Sequence, residues 1–144
     1  MANFDENNLV YVDASEVIYD FYDLTKYIRS KSRKYMRNSC VELEEYMKRN
    51  APWNDRTGEA RRNLKAEFID DFTPDRFKEF SIKLSHGVSY GVFLEYNGEF
   101  NPAYKSRRRP ILVPTLNKKV PEVIQGLIDV FTAYKAYRKK KGYD

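Results

Sequence analysis

Cysteine and histidine are nearly missing from this chain: Cys40 and His86 occur once each in 144 residues. A single cysteine excludes an internal disulfide and any cysteine-based metal cluster, and one histidine beside it leaves few ligands for a transition metal. Such usage fits a protein of the reducing cytosol. Long hydrophobic runs are missing too; none approaches the ~20 apolar residues that a membrane-spanning helix needs, so no membrane partner is expected. The opening "MANFDENNLVYVD" lacks the basic and apolar segments of a secretory signal, and none is expected. Glycine occurs six times, never as a glycine-rich phosphate loop. What the chain does have is charge and aromatic carbon, at 33% and 15% of residues, with 42% hydrophobic overall. That is enough for one core, and without an internal repeat the whole of 1–144 reads as a single domain.

The net charge of +5 conceals an asymmetry. Residues 1–25 carry Asp5, Glu6, Asp13, Glu16, Asp20 and Asp23 and no lysine or arginine, whereas residues 105–144 carry eleven lysines and arginines against Glu122, Asp129 and Asp144. These are either solvated faces or surfaces for electrostatic pairing, between copies of the chain or with an acidic partner.

Apolar spacing predicts an α+β fold: a long N-terminal helix, a small antiparallel sheet, a C-terminal helix and a long basic loop. Residues 1–12 read as a flexible arm whose "LVYV" could add to a sheet edge. Asp13 with Glu16 suggests a capping box, and Val12 with Val17 a hydrophobic staple. Val17, Phe21, Leu24, Ile28, Met36, Cys40, Leu43 and Met47 recur at helical spacing, predicting one helix over 13–50. Its alternative is two helices with a bend near 30–32, where "RSKSRK" interrupts the stripe. Such a length exceeds what a small core covers, so its first half is expected to pack on another subunit. Ala51-Pro52 ends it. A short turn over 59–61, capped by Asp55 or Thr57, precedes two strands of period two, with Leu64, Ala66 and Phe68 inward on one and Phe80, Ile82 and Leu84 on the other. Val88, Val92 and Tyr96 suggest a short helix. Residues 99–109 form a basic loop, and 110–112 a short edge strand. Pro114 opens a helical turn, and Pro121 opens the last helix as its first residue, with Ile124, Leu127, Ile128, Phe131 and Tyr134 as its stripe. The basic tail 138–144 is expected to fray.

"GVSYG" (residues 87–91) matches the G-x-S-x-G turn of serine hydrolases, but no histidine follows Ser89 and the predicted sheet is too small for that fold. Gly87 instead ends a strand, and Gly91 allows close helix packing. His86 reads as a structural or exposed histidine, and Asp70-Asp71 as a solvated turn. No carboxylate pair stands in the apolar setting that general acid–base work needs, so no catalytic residue is assigned. "YKSRRR" and "YRKKKGY" set aromatics beside cations, which suits phosphate contact. A small basic nucleic-acid-binding module is therefore the alternative reading, although no known nucleic-acid signature is present.

Three segments in order carry a more specific signal. "RNAPWNDRTGEARRNL", "SHGVSYGVFLEYNG" and "RRRPILVPTL" contribute Ala51, Pro52, Arg56, Thr57, Gly58 and Arg61, then Tyr90, Glu95 and Gly98, then Pro110, Leu112, Pro114 and Leu116. Together they resemble the tail-completion, or head–tail joining, neck proteins of long-tailed bacteriophages, over roughly residues 40–127. Asn97 stands before Gly98, where the family usually has glycine directly, and Ala60 where it has a larger apolar residue. The resemblance implies a structural virion protein without catalysis or cofactor. It would form an oligomeric ring, expected to be a hexamer, at the head-proximal end of the tail. Its partners would be other copies of itself, the tail terminator ring and the stopper ring of the head connector, with nucleic acid incidental to DNA passage. It would reside in the virion, and in the host cytoplasm during assembly.

Within that resemblance Arg56, with Thr57 and Gly58, shapes the turn between helix and sheet, or is a plain structural cap. Tyr90 and Glu95 face a neighbour or brace the loop. Lys105, Arg107, Arg108 and Arg109 are the expected partner contacts, arginine being favoured at interfaces. Trp53 is either a lid on the core or an anchor.

Overall fold

The computed structural model describes residues 2–4, 10–12, 14–70, 80–96 and 108–142. Elements follow in the order β1 (Ala2–Phe4), β2 (Val10–Val12), α1 (Ser15–Asn50), α2 (Glu59–Arg62), β3 (Lys65–Asp70), β4 (Phe80–Ser85), α3 (Gly91–Tyr96) and α4 (Leu112–Lys141). The α+β architecture is the expected one.

The spine is α1, a single 36-residue helix of about 54 Å. It runs unbroken through "RSKSRK" because arginine and lysine are good helix formers and one of the two serines there, Ser32, serves the packing. Ser32 and Ser39 are buried in line with Met36, Cys40, Leu43 and Met47, and small side chains let a second helix approach. That helix is α4, antiparallel to α1. Asp20 meets Arg138 at 2.7 Å, Tyr27 packs on Tyr134 and Tyr137, and Tyr46 lies under Lys118 and Lys119. At Gly126 a Cβ would fall 2.0 Å from the Tyr35 hydroxyl, so the missing side chain makes room for the end of the Tyr35 ring.

The sheet covers only the second half of α1. Strands β3 and β4 pair antiparallel, Lys65 opposite Ser85 and Asp70 opposite Phe80. The Ala66 N–H donates to Glu44 Oε2 at 3.2 Å, Arg37 lies over Phe68, and Arg33 pairs with Asp70. Asp70 is thus held in an ion pair rather than solvated; Asp71 lies outside the described residues. Met47, Ala51, Leu64 and Ile111 form the buried core where α1 ends, β3 begins and α4 begins, with Trp53 packed against it. Beyond the sheet, the first turns of α1 and the last turns of α4 continue as a two-helix arm.

Several local expectations change. α1 starts after Ala14, which makes no side-chain cap bond; Asp13, the expected cap, and the Val17 side chain lie outside the described residues. The two ends of the N-terminal arm pair with each other as β1 and β2, Ala2 opposite Val12, rather than with β3 or β4. The segment at 110–112 is no strand: Ile111 is the N-cap of α4. Nor does Pro121 start a helix. It lies inside α4, because packing along α1 outweighs the lost N–H bond. The tail does not fray at 138, since α4 continues to Lys141 and Gly142 closes it with a left-handed φ of 81°.

Proline in a helix interior removes a hydrogen bond and crowds the preceding turn. Pro121→Ala is therefore expected to raise stability by about 1 kcal/mol, read as a higher midpoint in thermal unfolding.

Candidate functional site: a clasped joint and an uncovered arm

Burial and hydrogen bonding concentrate at one carboxylate. Glu95, on α3, is fully buried. Its Oε2 accepts the N–H groups of Ile111 at 3.0 Å and Leu112 at 3.2 Å, and its Oε1 accepts that of Val113 at 2.8 Å. These are the unsatisfied donors of the α4 start. Ile111 has no side-chain oxygen to cap them, so a carboxylate from another helix does so, with the helix dipole in its favour. His86 Nε2 donates to the same Oε2 at 3.1 Å; an ionised carboxylate only accepts, which places the proton on Nε2. Burial alone would raise this carboxyl, but the His86 bond and the three backbone donors outweigh it and hold its pKa at about 2.

The strand-to-helix turn presents these two side chains. Gly87 leaves β4 at φ 65°, and a Cβ there would lie 2.3 Å from the Asn63 carbonyl oxygen. Gly91 opens α3 directly against His86, whose Cβ would lie 2.2 Å from an added one. Both glycines therefore have the packing roles expected of them. Ser89 is exposed in the turn between them. The short helix expected from Val88, Val92 and Tyr96 is present as α3, and its buried face is Gly91 and Glu95, because the Glu95 bonds decide its rotation.

A second clasp closes the other side of the core. Arg61, on α2, reaches back over the end of α1. It donates to the Asp55 carboxylate at 2.6 Å and to the carbonyls of Ala51 at 3.3 Å, Trp53 at 3.0 Å and Lys48. Its guanidinium also lies over the Trp53 ring. Trp53 thus takes the lid role, 6.0 Å from His86. Trp53, Arg56 and Tyr90 come together around one shallow cleft at the surface of this joint. Arg56 and Tyr90 are exposed there.

Glu95 braces the joint from inside and does not face a neighbour. Arg108 is tied down as well, donating through Nε to the Glu95 carbonyl at 2.6 Å, so it is a brace on α3 rather than a free contact. The Arg109 N–H donates to the Leu94 carbonyl at 2.9 Å, leaving its side chain exposed. Lys105 and Arg107 lie outside the described residues. His86 and Arg61 were absent from the expected site. Arg61 belongs to the motif quoted above, but only the fold shows that it gathers three carbonyls.

Residues of all three quoted segments meet in this joint: Arg61 and Trp53 from the first, His86 and Glu95 from the second, Ile111 and Leu112 from the third. No family model, curated protein or solved structure matches the chain.

Away from the joint, apolar side chains remain in water. Leu116, Val120, Ile124, Ile128 and Phe131 line α4 at intervals of one turn and are 40–55% exposed. The expected stripe of α4 is thus split: Tyr134 is buried against Tyr27 of α1, Ile124 lines an apolar cleft with Met36 and Leu43 of α1 and with Phe80, Ile82 and Leu84 of β4, and Ile128 and Phe131 are about half exposed. Ile18, Tyr19, Phe21 and Tyr22 on the first turns of α1 are 64–72% exposed. The charge asymmetry is partly spent within the chain, because antiparallel packing sets Asp20 against Arg138.

Proposed function

We propose that this protein is a structural subunit of a tail-completion or head–tail joining ring at the head-proximal end of a phage tail. The observation that carries the reading is the uncovered apolar arm: a band on α4 and a cluster on α1 that one small subunit leaves in water. Exposed apolar surface of this extent marks an association surface. The resemblance of the three motif segments supplies the kind of assembly, and their meeting in one joint explains their order and spacing. A heterologous contact between successive copies would close such subunits into a ring.

Light scattering across a range of concentrations tests this. A discrete species of about six subunits is the expected result. Ile128→Ser with Phe131→Ser, both at exposed positions, is expected to reduce it to monomer with the helical circular dichroism unchanged. A double variant that assembles like the parent would remove this face from the interface.

A further inference from the structure

The joint, like the arm, keeps apolar side chains in water. Tyr90, just before α3, and Val92, Phe93 and Tyr96 on it are 38–59% exposed. Tyr90 also lines the shallow cleft with Trp53, Arg56 and Leu94. Charges frame this aromatic surface. Asp55 and Arg61 cancel in an ion pair, which leaves Arg56 and Arg62 exposed against Glu59. The far end of α1 carries the matching chemistry. Ile18, Tyr19, Phe21 and Tyr22 stand there among Glu16, Asp20 and Asp23, and residues 14–25 hold no lysine or arginine. Asp20 is taken by Arg138 of α4, so Glu16 and Asp23 are the carboxylates that remain; the lysines closing α4 belong to the other helix of the arm.

We infer that the first turns of α1 of one copy seat in the cleft at the joint of the next copy. Within one subunit the two surfaces cannot meet, because about 45 Å of unbroken helix lies between Asp20 and Asn50. The occupant of the cleft is therefore a second copy. Aromatic side chains on both surfaces supply the apolar contact, in the offset or edge-on arrangements that rings prefer. The carboxylates of Glu16 and Asp23 against Arg56 and Arg62 set its register, as opposite charges do at an interface. Arginine is suited to this place because its planar fork holds a carboxylate by two bonds. Each copy has one arm and one cleft, at opposite ends of α1. The contact is thus heterologous and passes from copy to copy, the kind that a ring closes. It presupposes the ring reading and adds to it the surface that receives the arm.

The test is light scattering on two variants of the full chain, apart and mixed. Phe21→Ser with Tyr22→Ser removes the arm surface and keeps the cleft. Arg56→Glu with Tyr90→Ser removes the cleft surface and keeps the arm. All four positions are exposed, and the helical circular dichroism is expected to stay that of the parent; should the cleft variant lose it, Arg56→Glu alone takes its place. Each variant by itself is expected to be a monomer. Their equimolar mixture is expected to form a species of twice the subunit mass and nothing larger, because one intact arm then finds one intact cleft. If arms pair with arms instead, the cleft variant assembles like the parent, which overturns this contact and leaves the ring reading standing. A mixture that stays monomeric beside an assembling parent overturns it as well. A two-copy mixture beside a parent that forms open chains or pairs, rather than a closed species of about six, overturns the ring reading alone. A parent that is monomeric at every concentration overturns both.

Discussion

Glu95→Gln is expected to cost about 3–5 kcal/mol of folding stability, the usual loss when one member of a buried, hydrogen-bonded charge network is removed. The amide keeps one oxygen acceptor but turns an NH₂ toward backbone N–H groups or the His86 N–H, so donors face donors. The charge that complements the α4 dipole also disappears. Urea denaturation at neutral pH reads the loss as a lower midpoint at similar slope. A variant as stable as the parent would show that the α4 start does not depend on this carboxylate.

The same residue gives a pH dependence of definite sign. Its folded pKa, about 2, lies below the ordinary value of 4.5. The unfolded chain therefore binds the proton more readily, and the stabilisation is complete above the unfolded pKa. It is lost as pH falls from about 4.5 toward 2 and amounts to about 3 kcal/mol. Parent and Glu95→Gln stabilities should converge over that interval; parallel curves would assign the acid sensitivity elsewhere.

Arg61→Ala carries the second large effect, expected at about 2–3 kcal/mol. Hydrogen bonds from a charged donor each contribute more than neutral ones, and this guanidinium gathers three carbonyls and a carboxylate. Partial solvent access keeps the loss below that at Glu95. Arg61→Lys should recover little, because an ammonium on a flexible stem cannot reach diverging acceptors as a planar fork does. Trp53 is the only tryptophan and sits under the guanidinium, so its emission reports the joint directly. A red shift in Arg61→Ala and faster amide exchange over the last turn of α1 are expected; an unchanged spectrum would mean that the lid stays shut without the clasp.

Much of the fold was legible because it is local. The period-two alternation of Leu64, Ala66 and Phe68 and of Phe80, Ile82 and Leu84 announces the strands, and Ala51-Pro52 stops α1 where a proline must. The candidate site was less legible. Glu95 and Arg61 stand in recognisable motifs, but their partners are backbone groups, and backbone groups carry no residue identity to read. Arg108 looked like a free cation in a basic run; its tie to α3 depends on where α3 ends. The helix in 91–96 was foreseen, yet its buried face was not. The apolar pattern there competes with a single carboxylate whose bonds are stronger than the burial of a valine.

By itself the sequence determined which segments become helix or strand, through apolar periodicity and backbone restriction, both of which act within a few residues. Only the tertiary structure decided that Pro121 lies inside a helix rather than at its start, that Asp20 meets Arg138, and that "RSKSRK" continues α1 instead of breaking it. Each of these turns on one helix packing along another over many turns. The summed contact outweighs a local preference of one or two kcal/mol.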